Sequence, residues 1–245
     1  MIWITGDTHG DWVHRLNMNS FPEQKEMTKD DYVIICGDFG IWDDSPAEQW
    51  NLTWLEQRNF TTLFVDGNHS NFDMLDSYLI DEWHGGKVHF IRPSVIHLMR
   101  GQIFDIDYKK IFTFGGASSH DISDGILELD DPRLKAWRKD PNKMYRVNHI
   151  SWWEREIPNE EEMAEGRENL ELAGNKVDFI ITHCAPSSTQ AILSGGFYES
   201  DKLTNYLETI KSGIDYKRWF FGHYHINQAV SDKDIALFEQ IIRIS

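Results

Sequence analysis

The sequence predicts a single α/β domain. Three observations carry that prediction: short apolar runs recur throughout the 245 residues, segments with helix-capping signals lie between many of them, and the middle of the chain is strand-rich. Runs at 2–5, 32–36, 62–65, 88–91, 95–99, 103–106, 110–114, 177–182 and 218–221 read as strands, with a last pair around Ala229 and at 235–244. Each ends in polar or glycine-rich punctuation. Several, such as Tyr32-Val33-Ile34-Ile35-Cys36, are apolar at nearly every position, as strands covered on both faces must be.

Helix signals fill the gaps. Ser45-Pro46-Ala47-Glu48 combines an N-cap, a proline at the first helical position and the glutamate of a capping box. Ser70 or Asn71 caps a helix carrying Phe72, Leu75 and Leu79 at helical spacing, and Ser151-Trp152-Trp153-Glu154 offers another capping box. Asn159 opens the acidic stretch 160–172, which closes at Gly174; Ser200 opens a helix with Leu203, Leu207 and Ile210, stopped by Gly213. The segment 120–158 is the least regular and most polar, and reads as a long loop or a cap. There is no internal repeat, low-complexity segment or clear linker.

Bulk composition narrows the function classes. Hydrophobic residues make up 40% and aromatics 13%, a globular composition. The ten tryptophans mostly sit inside apolar patterns, which points to packing. A formal charge of −16 repels phosphate backbones at long range and argues against duplex nucleic acid as a partner. A small phosphorylated or nucleotide substrate remains open, because bound divalent metals invert the field locally. Only Cys36 and Cys184 are present, so no disulfide framework is expected and a reducing compartment is. The stretch 1–5 is too short for a signal peptide and lacks its basic flank, and no apolar run approaches about 20 residues. A cytoplasmic protein is expected, with no membrane partner; the oligomeric state is left open.

Five polar blocks each follow directly on an apolar strand. They are Gly6-Asp7-Thr8-His9-Gly10, Gly37-Asp38-Phe39-Gly40, Gly67-Asn68-His69-Ser70, Thr182-His183-Cys184 and Gly222-His223-Tyr224-His225. In open α/β sheets, groups at the carboxyl ends of strands converge in one crevice. Aspartate, asparagine and neutral histidine supply oxygen and nitrogen donors suited to hard or borderline divalent metals. Alone, each block is more often a turn with a solvated side chain. Five in such positions are hard to explain by turn chemistry.

In that order, Asp-x-His, Gly-Asp, Gly-Asn-His, Thr-His and Gly-His-x-His, the blocks resemble the calcineurin-like metallophosphoesterase superfamily over residues 6–225. The resemblance implies a four-layered α/β/β/α sandwich of two sheets with a dinuclear site at their edge. It implies one divalent metal on Asp7, His9 and His225, a second on Asn68, His183 and His223, and Asp38 bridging both. Manganese is the first expectation; iron, zinc and nickel suit the same donors. His69 matches the family histidine that gives a proton or hydrogen bond to the substrate. The implied activity is hydrolysis of a phosphomonoester or phosphodiester by a metal-bridging hydroxide, the cations standing about 3.5–4 Å apart.

Three features depart from the better-known branches. Gly37-Asp38-Phe39-Gly40-Ile41-Trp42 lacks the Asp-Arg-Gly of the protein serine/threonine phosphatases, so the arginine that grips phosphate there has no positional match. Arg15, Arg92 and Arg100 are candidate grips on general grounds, and nothing selects one. Ser70 stands where many relatives carry an acid. The stretch Phe114-Gly115-Gly116-Ala117-Ser118-Ser119-His120-Asp121 resembles an element of uncharacterised bacterial and phage members, which makes Ser118, His120 and Asp121 candidate substrate contacts alongside the plainer reading of a glycine-rich turn. His14, His84, His89, His97 and His149 read as surface or strand histidines. Two rival readings stand beside the enzyme. One is a non-catalytic binding or scaffold protein with this fold, and the other is a structural zinc protein, a class that favours closed, cysteine-rich sites.

Overall fold

The computed structural model describes residues 1–245. Side-chain alternation along the central strands sorts the apolar residues into layers. Ile2, Ile4, Tyr32 and Ile34 join one buried cluster, whereas Val33 and Ile35 join another on the opposite face. Strands apolar on both faces are therefore sandwiched between two layers of partners.

The strands, numbered along the chain, are β1 (Ile2–Thr5), β2 (Tyr32–Ile35), β3 (Thr61–Phe64), β4 (Ile80–Trp83), β5 (Gly86–Arg92), β6 (Val95–Leu98), β7 (Gln102–Ile106) and β8 (Lys109–Phe114). There follow β9 (Gly125–Leu127), β10 (Tyr145–Val147), β11 (Phe179–Thr182), β12 (Arg218–Phe221), β13 (Gln228–Ala229), β14 (Asp234–Ala236) and β15 (Ile241–Arg243). One sheet runs β15-β1-β2-β3-β6-β5-β4, and a second runs β13-β14-β12-β11-β8-β7. Within them β1, β2, β3 and β6 are parallel, as are β8, β11, β12 and β14; antiparallel pairs occupy the edges.

The helices are α1 (Trp12–Arg15), α2 (Pro46–Glu56), α3 (Phe72–Ser77), α4 (Leu134–Trp137), α5 (Glu160–Leu172), α6 (Ser187–Ser194) and α7 (Lys202–Gly213). Three apolar layers result. Between the sheets lie Ile4, Ile34, Leu63, Ile111, Ile181 and Phe220. Trp12, Leu52, Leu55, Phe72 and Leu75 cover the outer face of the first sheet, and Met163, Leu170, Leu203, Leu207 and Ile210 cover that of the second. This is the four-layered α/β/β/α sandwich.

Tertiary contacts move several boundaries. Ser45 accepts the Glu48 N–H as an N-cap should, but the Glu48 carboxylate turns outward to the Trp42, Asp43 and Asp44 N–H groups. Asn71 caps α3, while Ser70 accepts the Gly67 N–H. Leu79 lies beyond that helix and is exposed, because the chain turns there into β4 to pair with β5. No helix starts at Ser151: its hydroxyl accepts from Val147 N, and only a 3-10 turn, Glu154–Glu156, follows. Asp201, not Ser200, caps α7, in a reciprocal box with Thr204. The stretch 235–244 breaks into two strands in different sheets, where the Asn227 side chain accepts from the Phe238 and Gln240 N–H groups and Gly6 donates to the Phe238 carbonyl.

The polar segment contains regular structure. β9 and β10 pair in parallel, and Leu127, Leu134 and Val147 form a small core with Trp137 and Tyr145. Cys36 and Cys184 are free and buried, and burial pushes both thiols well above their usual range. No helix is long and apolar enough to cross a membrane.

At Asn159, side chain and Glu162 satisfy each other's backbone N–H at the start of α5. Asn159→Ala is expected to cost about 1 kcal/mol and to lower the melting temperature by a few degrees. Calorimetry checks this.

Candidate metal centre

Every one of the five polar blocks sits just past the carboxyl end of a parallel strand: Asp7 after β1, Asp38 after β2, Asn68 after β3, His183 after β11, and His223 and His225 after β12. The parallel strands of each sheet share a direction, so these ends meet at one edge of the sandwich. The backbone there is unusual. His9 (φ +47°), Asp38 (+42°), His223 (+67°) and His225 (+49°) all occupy the left-handed region. Each such non-glycine residue costs on the order of 1–3 kcal/mol, held in place by the surrounding fold.

The loops interlock through missing side-chain atoms. A Cβ on Gly222 would lie 1.9 Å from Asp7 Oδ1, and one on Gly37 would lie 2.1 Å from His183 Nδ1. Asp7 thus packs against the bare backbone of the β12 loop and accepts the His223 N–H at 2.9 Å. His183 packs against the β2 loop, and its Nδ1–H donates to the Cys36 carbonyl at 2.9 Å.

That last bond fixes a tautomer. With Nδ1 committed to the carbonyl, the deprotonated form of His183 would turn its Nε2 lone pair toward Asn68 Oδ1 at 3.2 Å and Asp38 Oδ2 at 3.3 Å. All three are lone-pair donors. A second group forms beside it: His9 Nε2 lies 3.0 Å from His225 Nε2, and Asp7 Oδ2 lies 3.2 Å from His225 Nε2. Asp7, His9 and His225 form one cluster with metal-ligating geometry, and Asp7, Asp38 and His183 form another. Asp38 Oδ2 also comes within 4.0 Å of His9 Nδ1, so both carboxylates lie between the groups. His223 completes the ring: its imidazole centroid is 5.0 Å from that of His183.

Such crowding of acceptors demands positive charge. Burial opposes ionisation of Asp38, yet His183 beside it holds the carboxyl well below the usual range. Burial likewise opposes a charged His183, yet Asp38 and Asp7 push it up to about 9. The donor set fits divalent cations: oxygen and imidazole nitrogen, with the far nitrogen of His183 tied to a carbonyl, the arrangement that orients metal-ligating histidines.

A cavity of about 170 Å³ opens onto these groups, lined by Asp38, Asn68, His69, His120, Asp121, Arg146, His223 and His225. His69 is fixed at its backbone, with its N–H donating to Asp38 Oδ1 at 2.9 Å and its carbonyl accepting from Trp42 Nε1 at 3.0 Å. Burial, and then the nearby Arg146, lower its pKa against the pull of Asp38.

The Gly115–Asp121 stretch divides. Ser118 bonds to Asp201 at the α7 cap and does not line the cavity. His120 Nε2 lies 3.1 Å from His223 Nε2, and Asp121 holds Arg146. Ser119 is a further member: it meets Asn68 Nδ2 at 3.4 Å and donates to Glu156 at 2.7 Å. The three arginines considered from sequence face elsewhere. Arg15 donates to Thr5, Phe238 and Asp7 backbone or hydroxyl oxygens. Arg92 reaches Ile91 and Gln49, and Arg100 is buried against Asp66 and Glu162. Of the histidines set aside, His89 and His97 are buried strand residues whose Nδ1 atoms lie 3.1 Å apart.

A family model for calcineurin-like phosphoesterase matches residues 1–227. The chain belongs to the calcineurin-like phosphoesterase family. Membership makes this protein a metal-binding phosphoester hydrolase by class, and residues 228–245, beyond the match, supply β13, β14 and β15. The phosphoesterase is also similar to the solved phosphopantetheinyl hydrolase from Mycobacterium tuberculosis, at 16% identity over 97% of this chain and 87% of that one, with a TM-score of 0.45. No curated protein matches by sequence.

Beneath the metal-centre loops, Asp66 is held well below its usual range by Arg100 and His97, against the cost of burial. Arg100→Leu is expected to strand that carboxylate and cost about 3–5 kcal/mol. Urea denaturation of the two proteins measures the difference.

Proposed function

We propose that this phosphoesterase hydrolyses a small phosphorylated substrate with two divalent cations held at the strand ends. One is bound by Asp7, His9 and His225, the other by Asn68, His183 and His223, and Asp38 is shared. Manganese is the first expectation for both, with iron, zinc and nickel compatible. The single observation that supports the reading is the convergence of His183 Nε2, Asn68 Oδ1 and Asp38 Oδ2, with the two oxygens 3.2 and 3.3 Å from the nitrogen, a buried nitrogen and oxygen set of the kind that holds a divalent cation. Cations held by these residues would supply Lewis acidity and a water acidic enough to act as nucleophile near neutral pH.

The chain's own residues do the rest. His69 presents an imidazole N–H to the oxygen that leaves phosphorus, and its backbone bonds to Asp38 and Trp42 keep the ring at the cavity rim. A cavity of about 170 Å³ is below the usual range for whole-ligand sites, which suits a phosphoryl group with the remainder of the molecule outside. The net charge of −16 works against a duplex as substrate.

Chelation is expected to abolish hydrolysis of a generic aromatic phosphoester, and added manganese to restore it. His69→Ala should lower kcat by about 10²–10⁴-fold with metal content unchanged, as elemental analysis would show. Loss of metal in that variant instead places His69 among the ligands. A metal-loaded protein inert across a broad phosphoester panel leaves the scaffold reading in its place.

A further inference from the structure

The strand β10 belongs to neither large sheet, and its middle residue is a cation aimed at the cavity. Side chains alternate along a strand. Tyr145 and Val147 pack into the small core with Leu127, Leu134 and Trp137. Arg146, between them, must therefore point the other way, and it does. Its Nη1 lies 3.2 Å from His69 Nδ1, and its side chain is only 14% exposed.

We infer that Arg146 grips the phosphate of the substrate, with Asp121 bracing it, an inference that rests on the phosphoester-hydrolase reading. Arg146 is the one arginine or lysine among the residues lining the cavity. Its guanidinium is held from behind. Nε lies 2.9 Å from each Asp121 carboxylate oxygen, Nη2 lies 2.8 Å from Oδ2, and Nη1 donates to the Ser151 carbonyl at 3.2 Å.

Those bonds leave N–H groups over. An arginine has five, and two on the far edge face only the His69 ring at the cavity, at 3.2 and 3.5 Å, with no oxygen acceptor on that side. A phosphate oxygen is the acceptor such a fork is built to take. The pairing with Asp121 fixes the fork in advance, so little side-chain entropy is lost when the anion arrives. Residues of the segment between β8 and α5 thus form a cap whose small core turns Arg146 toward the cavity.

Oxygen count adds selectivity. A phosphomonoester offers the two free N–H groups three unesterified oxygens, where a diester offers two. Arg146 therefore biases the site toward terminal phosphates.

The test uses the full-length, manganese-loaded protein as wild type, Arg146→Ala and Arg146→Lys, with Arg138→Ala on the same cap as a control. Calorimetric titration with inorganic phosphate reads binding without turnover. Phosphate affinity is expected to fall about 10- to 100-fold in Arg146→Ala, with partial recovery in Arg146→Lys and none of this in Arg138→Ala. KM for p-nitrophenyl phosphate should rise more than KM for bis(p-nitrophenyl) phosphate, while metal content holds. Unchanged phosphate affinity and KM in Arg146→Ala overturn the inference, as does a lowered melting temperature as the sole effect, which marks Arg146 as a structural pin. A wild type that binds no phosphate overturns it too. If phosphate binds through Arg146 yet no ester is hydrolysed, the grip stands and the hydrolase reading falls.

Discussion

Two aspartates and a set of imidazoles cannot share so small a volume unless the backbone between them is stripped of side chains. At Gly222 the space of a Cβ is taken by the Asp7 carboxylate, and at Gly37 it is taken by the His183 ring. The first sheet's loop thereby rests on the second sheet's loop, and the reverse holds at Gly37. Each sheet positions the donors of the other. The distances of 2.9 Å from Asp7 to His223 N and from His183 to the Cys36 carbonyl follow from that mutual seating. The same loops hold His9, Asp38, His223 and His225 in the left-handed region.

Behind the junction, charge is buried again. Asp66 ends the approach to Asn68, and it is neutralised by Arg100 at 2.6 Å, which itself reaches Glu162 on α5 at 3.2 Å. A helix on the outer layer is thus tied to the loop carrying the Asn68 amide. Packing and paired charge of this kind hold the side chains at the edge of the sandwich in place, which is what a pre-organised site requires.

The strand-end blocks were legible because their chemistry is local: a buried parallel strand, a tight turn and a polar side chain occur together within a few residues. Their order also resembled one family closely enough to place eight residues. Arg146 was invisible for the opposite reason. Its contact with His69 spans 77 residues, and its strand is only three residues long, in a segment too polar to show a period. Ser119 and Glu156 were hidden likewise, since a serine–glutamate bond across 37 residues leaves no local mark. The misread start at Ser151 has a tertiary cause: the indole N–H groups of Trp152 and Trp153 are drawn to Glu156 and Asp73, and the chain bends to deliver them. The run at 235–244 looked continuous because hydrophobicity does not reveal which of two sheets a strand joins.

The small core that joins Gly125–Leu127 to Tyr145–Val147 seals itself without help from either large sheet. The chain between those strands is consequently a place where length can change cheaply: doubling a loop adds only about 0.6 kcal/mol of closure entropy. Insertions there would remodel what surrounds the opening and leave the interlocked loops beneath untouched. The scaffold thus divides the opening in two: the strand-end side chains belong to the sandwich, and part of the rim belongs to a separately packed cap.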